Sequence, residues 1–287
     1  MVGALAVARL CESLGTPFVL GGVAWERIPI DPHPGPRPLS EVHGGRPLGE
    51  AAVLAGPGTC TPEGVEFSEA HMAAHLGTDT VLVSVSGGTA GAAAGLAAAI
   101  DELECDLLVC VDVGGDVLAG GEEEGLASPL CDAVMVAGAL RVAGRVGSLL
   151  AVIGPGCDGE LTQAEVMGRV AELGRAGAWL GSWGLSPQIA DELDAAAGLV
   201  PTEASRQVVR CARGEVGHDH IRRGRRRVEL GPLGALTFVF DLVAAVDALP
   251  LAQAVADATS IDEARDALAA RGVRTELDYE RDRAAHS

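Results

Sequence analysis

The run Leu107-Leu-Val-Cys-Val-Asp-Val-Gly-Gly-Asp-Val-Leu-Ala-Gly-Gly-Glu-Glu-Glu-Gly125 decides the fold class of this chain. Its apolar beginning, Leu107 to Val111, is typical of a buried parallel strand. Asp112 ends that run, and paired glycines separate it from a second carboxylate, Asp116. Ligands of open α/β sheets bind beyond the carboxyl ends of such strands. Carboxylates packed there repel one another unless they share a cation or a proton, so the pattern predicts a site.

Composition narrows the classes of protein to which this chain can belong. It has 287 residues, with 40 acidic and 21 basic side chains and a net charge of −19. Such an acidic chain is not expected to bind nucleic acid or an anionic membrane. No apolar run is long enough to span a bilayer and no basic signal region opens the chain, so we predict a cytoplasmic protein.

Lysine is absent, and all basic residues are arginine. Chemistry that needs a lysine Schiff base is therefore excluded, and pyridoxal phosphate is not an expected cofactor. The same absence excludes a Walker-type phosphate lysine.

The order of strand and helix patterns predicts an α/β fold. We expect a Rossmann-like, mostly parallel sheet with helices on both faces, because apolar strands alternate with capped helices through residues 1–177. Residues 178–287 should add helices and a hairpin, Val228 to Asp241, that complete the same single domain. The Pro-rich segment from Ile28 to Arg46, which includes Pro29, should be a long irregular loop. The predicted strands are 17–23, 80–85, 107–111 and 148–153, and the predicted helices are 67–76, 89–104, 129–142, 162–174, 186–197, 202–213 and 260–272.

Four glycine-rich turns follow the predicted strands and should meet at one sheet edge: residues 21–27, 84–89, 112–116 and 154–160. Four such turns at one edge indicate a ligand cleft. The second leads into an Ala-rich helix, whose free N–H groups favour an anion. We therefore predict phosphate binding by Ser86, Gly87, Gly88 and Thr89, although an ordinary helix cap would look the same. Neither GxGxxG nor GxxxxGK[ST] is present, so a standard dinucleotide site or P-loop is not supported.

Asp112, Asp116 and Asp158 are the predicted metal ligands or catalytic acids. Mg²⁺ prefers oxygen ligands, usually one or two carboxylates with phosphate oxygens and water. The alternative is that these aspartates only cap the turns that follow them. Glu26 and Arg27 should line the opposite wall of the cleft, and Gly159 and Glu160 should also contact substrate.

Several separated motifs resemble one uncharacterised family. They are residues 112–116 continuing through 124–132, Trp25-Glu-Arg27 with Pro34-Gly-Pro-Arg37, Gly156 to Leu161, and Thr275-Glu276. Together they resemble domain of unknown function 1152 over nearly the whole chain. The resemblance implies one Rossmann-like α/β protein of this length and brings no assigned reaction.

The resemblance also exposes a difference at the beginning. The family pattern opens with a strand and a glycine-rich loop ending in Asp, followed by a helix. Here Met1 to Leu10 already has the pattern of that helix. We expect the in-frame DNA upstream of Met1 to encode the strand and loop, since a βαβ unit that begins in mid-helix leaves a sheet position unfilled.

The sequence as a whole favours an enzyme that acts on a phosphorylated small molecule or nucleotide-like ligand with help from Mg²⁺. One alternative is a ligand-binding or assembly protein without catalysis. Another is a lyase or isomerase that transfers protons between paired carboxylates without a cation. A homo-oligomer is compatible with all three interpretations.

Overall fold

The computed structural model describes residues 1–28 and 30–286, and its strands form two four-stranded sheets and one hairpin. The first sheet contains Gly21–Val23 (β1), Arg46–Leu48 (β2), Ala52–Ala55 (β3) and Thr80–Val83 (β4) in the order β1-β4-β3-β2. β1 pairs with β4 in parallel, and the other two pairs of this sheet are antiparallel. Pro29 of the predicted loop lies outside the described residues.

The second sheet holds the strand with which the sequence analysis began. Its strands are Leu107–Val113 (β5), Gly147–Ile153 (β6), Trp179–Gly184 (β7) and Leu236–Asp241 (β10), in the order β5-β6-β10-β7. β5 and β6 are parallel, whereas β10 runs antiparallel to both of its neighbours. Gly217–Ile221 (β8) and Arg226–Leu230 (β9) form the separate hairpin.

Eleven α-helices lie around these sheets in the described part of the chain. They are Val2–Ser13 (α1), Ser68–Leu76 (α2), Gly88–Glu102 (α3), Pro129–Val142 (α4), Gln163–Arg175 (α5), Pro187–Leu199 (α6), Ala204–Ala212 (α7), Leu242–Ala245 (α8), Pro250–Ala254 (α9), Ile261–Ala269 (α10) and Glu276–Ala285 (α11). Thr162 is the N-cap residue of α5, and Thr275 is the N-cap residue of α11. Each forms a capping box that satisfies free N–H groups in the first turn of its helix. No described helix has both the length and the apolar character needed to cross a membrane.

The α/β class and most predicted helices and strands are confirmed, but the pairing is mixed rather than mostly parallel. The predicted hairpin from Val228 to Asp241 is wrong, because β9 pairs with β8 while β10 lies between β6 and β7. The burial patterns explain this difference. β9 alternates between buried and exposed residues, whereas β10 is buried through its four central residues and is suited to the middle of a sheet. The Rossmann-like topology and the single domain stay predictions.

Small residues bring the helices close to the sheets and to each other. A Cβ on Gly138 of α4 would lie 2.8 Å from the Cβ of Ala92 in α3. A Cβ on Gly95 of α3 would lie 2.6 Å from the carbonyl oxygen of Ala51, beside β3. A chain with only 3% aromatic residues thus fills its interior by close approach of Ala- and Gly-rich surfaces.

In its described residues, the predicted loop after β1 contains a 3-10 turn at Leu39–Glu41 and an isolated bridge from His43 to Cys60, and its last predicted residue, Arg46, begins β2. A buried ion pair fixes it, because Arg37 donates from Nε and Nη2 to the two carboxylate oxygens of Asp31 at 2.7 and 2.8 Å.

β1 and β5 are edge strands of their sheets. The first turn of α1 contacts both, since a Cβ on Gly3 would meet Val113 and a Cβ on Gly22 would meet Met1. The expected upstream strand stays a prediction.

Candidate functional site: an acid cluster beyond β5 and β6

The ends of β5 and β6 place two acidic turns side by side. Val113 and Ile153 are register partners in the parallel pair, so both strands finish at the same level. Backbone bonds then join the turns: Gly114 donates to the carbonyl of Ile153 at 3.0 Å, and Gly156 donates to that of Gly114 at 2.7 Å. Of the four predicted turns, the two after β5 and β6 therefore meet, whereas those after β1 and β4 belong to the other sheet, so the prediction of four turns at one sheet edge is wrong.

The glycines after β5 turn the chain so that Asp116 lies over the end of the strand. Gly114 and Gly115 have φ values of 125° and 109°, in the left-handed region that favours glycine. Asp112, still within β5, accepts a 2.7 Å hydrogen bond from the N–H of Gly115. This bond closes an Asx turn, so the capping interpretation is correct for one oxygen of Asp112.

Asp158 is the least satisfied side chain in the site. It is 5% exposed, and both carboxylate oxygens are buried with no hydrogen-bond partner among the described residues. A Cβ on Gly114 would lie 2.1 Å from its Oδ1, so the carboxylate fits against a glycine backbone. A buried polar group without a partner is costly, and a carboxylate is more so.

Five carboxylates gather here, and we call them the acid cluster: Asp112, Asp116, Asp132, Asp158 and Glu160. Oxygens of Asp112, Asp116 and Asp132 lie within 4.8 Å of one another. Oxygens of Asp116, Asp158 and Glu160 also lie within 4.8 Å of one another. Asp116 thus belongs to both groups. Asp132, in the first turn of α4, is a member that the sequence analysis missed.

Glu160 differs from the aspartates because all its oxygens are occupied. Oε2 accepts from the N–H groups of Ala127 and Ser128 at 2.7 and 2.8 Å. Oε1 accepts from the Ser128 hydroxyl and forms an ion pair with Arg226, whose Nη1 lies 2.8 Å away. Ser128 precedes α4, yet its side chain does not cap that helix. Glu160 therefore ties together three parts of the chain, and its predicted contact with substrate stays a prediction.

A second glutamate, Glu276, caps the N-terminus of α4. Its carboxylate accepts from the N–H groups of Leu130 and Cys131 at 3.0 and 2.9 Å. Arg27 donates to the same carboxylate from Nη2 at 3.0 Å. An anion at a helix N-terminus is favoured by the free N–H groups and the helix dipole. Because these N–H groups are already used, they do not compensate the charges of the aspartates.

Burial and mutual repulsion raise the pKa values of the four aspartates. Desolvation raises the pKa of Asp112 to about 6, partly opposed by its bond from Gly115. Desolvation, followed by the nearby carboxylates, raises the pKa values of Asp116, Asp132 and Asp158 well above the ordinary range. In the metal-free protein these groups therefore hold protons at a pH where exposed aspartates would be ionised.

Arg27 lies close enough to Asp132 of the cluster for their charges to interact, and its predicted place in the wall of the cleft stays a prediction. Its guanidinium stacks 3.9 Å from the ring centre of Trp25. Burial disfavours its charge, but Glu276 and, among other groups, Asp132 outweigh that effect and raise the pKa of Arg27. Nη1 is buried without a hydrogen-bond partner in the described chain. This nitrogen is a donor that an anionic ligand can use.

Glu26 does not accompany Arg27 into the site. Its Oε1 accepts a 2.6 Å bond from the N–H of Ser68, at the beginning of α2. Burial, followed by the nearby charge of Glu26, raises the pKa of Glu69 to about 8. The predicted role of Glu26 in the opposite wall of the cleft is therefore corrected, because it caps a helix instead.

The predicted phosphate loop, Ser86, Gly87, Gly88 and Thr89, is also corrected. Residues 255–261 cover it: the Thr89 hydroxyl donates to the carbonyl of Val255 at 2.7 Å, and Ala90 N–H donates to that of Ala258 at 3.1 Å. A Cβ on Gly88 would lie within 2.9 Å of backbone atoms of this segment. Carbonyl oxygens therefore occupy the N-terminus of α3, which is closed to an anion.

An open cleft of about 390 Å³ adjoins the cluster on the side of Glu160. The glycines 125, 156 and 159 form one part of its wall, and His218 and Arg227 of the β8–β9 hairpin form another. A Cβ on Gly159 would lie 2.9 Å from the Cβ of Arg226, so this glycine allows the hairpin to pack closely. The predicted contact between Gly159 and substrate stays a prediction.

Comparison with known proteins assigns the chain to a family. A family model described as "Protein of unknown function (DUF1152)" matches residues 1–284 of the 287. The chain belongs to this family. No curated protein and no solved structure matches it significantly. The chemistry of this DUF1152 protein must therefore be argued from its own side chains.

Proposed function

We propose that this DUF1152 protein is an enzyme that binds Mg²⁺ through aspartates of the acid cluster and acts on a phosphorylated small molecule or nucleotide-like ligand. The unpartnered Asp158 carboxylate carries the proposal. A cation would supply the partner that neither of its oxygens has in the described chain. Mg²⁺ suits this donor set because it binds carboxylates, water and phosphate oxygens.

Arg27 supports the choice of an anionic substrate. Its Nη1 has no hydrogen-bond partner in the described chain, and Glu276 and Trp25 hold the guanidinium in place. A guanidinium beside a bound cation can engage a second oxygen of the same phosphate. Mg²⁺ would then polarise the phosphoryl oxygens and orient them, while the protein supplies position and charge. A cytoplasmic location belongs to the same proposal, since all seven cysteines are free thiols, as a reducing compartment maintains.

The test is a thermal-shift screen of a metabolite library, with and without Mg²⁺, on wild type and on Asp116→Asn. We expect phosphorylated compounds to raise the melting temperature of wild type only when Mg²⁺ is present. Asp116→Asn should lose this response, because Asn nearly preserves the shape but removes the charge. Asp106→Asn is the matched control, since Asp106 is an exposed acid just before β5.

Turnover of the compounds that bind separates an enzyme from a protein that only binds ligand. Ligand binding that needs no cation and survives in Asp116→Asn would overturn the proposal. Proton transfer between paired carboxylates would then be the better interpretation.

A further inference from the structure

We infer that the acid cluster binds two divalent cations that share Asp116 as a bridging ligand. This inference rests on the proposed function and extends it from one cation to a binuclear centre. It names two positions: one between Asp112, Asp116 and Asp132, and one between Asp116 and Asp158.

The geometry supplies the two positions. Each group of carboxylates has its oxygens within 4.8 Å, and Asp116 is the member that they share. Two ions held 3.5–4 Å apart, about the separation in binuclear enzymes, fit on either side of one bridging carboxylate. One oxygen of Asp116 lies 3.5 Å from the Ser128 hydroxyl, and the side chain also forms a hydrogen bond with Asp112, which a cation between the two would replace.

Charge supplies the number of ions. Glu160 is compensated by Arg226 at 2.8 Å, and Glu276 by Arg27 at 3.0 Å. The four aspartates of the cluster make no such ion pair within the described chain. Two divalent cations would neutralise these four carboxylates, and the two groups of oxygens offer one position for each ion.

The second position depends on Asp158 rather than on Glu160. Both oxygens of Glu160 already accept hydrogen bonds from Ala127 or Ser128, and its charge is compensated by Arg226 at 2.8 Å, so Asp158 has the greater need of a cation. Asp158 has both oxygens free and is 5% exposed. It can hold a cation through both oxygens, with substrate phosphate and water completing the coordination.

The experiment measures Mn²⁺ binding to the full chain after chelation and dialysis. Equilibrium dialysis and calorimetry should give two Mn²⁺ per wild-type chain, and electron paramagnetic resonance should show a spin-coupled pair. Asp132→Asn should retain one ion without the coupled signal, and so should Asp158→Asn. Asp116→Asn should weaken binding of both ions at least tenfold. Asp106→Asn should keep two coupled ions.

The possible results separate the two proposals. One ion per wild-type chain, lost in both Asp132→Asn and Asp158→Asn, would overturn the binuclear centre and leave the Mg²⁺ enzyme intact. No bound ion in wild type would overturn both. Two ions without coupling, unaffected by Asp116→Asn, would refute the bridge. Urea unfolding of each metal-free variant shows whether a loss of ions reflects the site or the fold.

Discussion

Asp158→Asn should make the metal-free protein more stable while reducing its response to Mg²⁺ to that of the one remaining ion. The carboxylate oxygens of Asp116, Asp158 and Glu160 lie no more than 4.8 Å apart. At an effective dielectric constant of about 20, each ionised pair at that distance repels by about 3.5 kcal/mol. Protonation of Asp158 can relieve the repulsion instead. At pH 7 it costs about 1.4 kcal/mol for each unit by which the pH exceeds an ordinary pKa near 4. The stability gained by removing the charge of Asp158 is therefore limited to about 4 kcal/mol.

The substituted amide returns part of that gain. Its NH₂ group has two donors to satisfy where a protonated carboxyl has one, and the extra buried donor costs about 1–3 kcal/mol. We expect a net stabilisation of about 1–3 kcal/mol in chelator at pH 7, measured by urea unfolding. Mg²⁺ at one hundred times its dissociation constant should stabilise wild type by about 2.7 kcal/mol for each bound ion. The variant should lose the increment of the ion that Asp158 holds.

Asp106→Asn again serves as the control for removing one acidic charge, and it should behave as wild type with and without Mg²⁺. Calorimetric melts provide the second readout, since about 2.7 kcal/mol corresponds to roughly 5–10 °C in a chain of this size. The reasoning is refuted if Asp158→Asn is less stable than wild type in chelator and keeps the full Mg²⁺ shift. Asp158 would then be a structural residue.

Three further changes test other parts of the structure. Gly114→Ala should abolish the Mg²⁺ shift in calorimetric melts, because its Cβ would lie 2.1 Å from the unpartnered aspartate and φ is 125°; Gly168→Ala, in α5 with open space around it, should leave the shift unchanged. Arg37→Met should cost about 3–5 kcal/mol in urea unfolding, because it leaves the buried Asp31 uncompensated; a cost under 1 kcal/mol would contradict this. The pKa of Asp112 rises from about 4 in the unfolded chain to about 6 in the folded, metal-free protein. The stability that this shift contributes is complete below pH 4 and is lost as the pH rises through 6. The Mg²⁺ shift should therefore grow over pH 5 to 7 in melts, and a shift independent of pH would contradict the assignment.

Local patterns predicted the elements better than their partners. The capping box at Thr162 and the Ser128-Pro129 start of α4 are decided by neighbouring residues, and both helices begin where predicted. Strand pairing depends on residues far apart in the chain. The run Leu236–Asp241 offered a short connection to β9, yet it is buried between β6 and β7. Tertiary burial outweighed the nearby turn, and a parallel pattern became a mixed sheet.

The candidate site was predictable where it follows directly from a strand. Asp112 is one of the last residues of β5, and Asp116 and Asp158 follow the ends of β5 and β6, so the parallel pair brings all three together. Asp132 was missed because an acid in the first turn of a helix is already explained by the helix dipole. The signal was its position just after Ser128-Pro129, in the same stretch that carries the family resemblance.

Arginine partners, rather than the acids themselves, decide which carboxylates are left for a cation. Glu160 and Asp158 are separated by one residue and are both buried, yet only the Glu160 carboxylate pairs with Arg226 and the N–H groups before α4, whereas Arg226 meets Asp158 at its backbone carbonyl. Arg226 comes from the β8–β9 hairpin, far from Glu160 in the chain. Because the chain has no lysine and about twice as many acidic residues as arginines, arginine can pair with only some of its carboxylates. The carboxylates that it omits, at the ends of β5 and β6 and the beginning of α4, are those on which a metal-dependent function must depend.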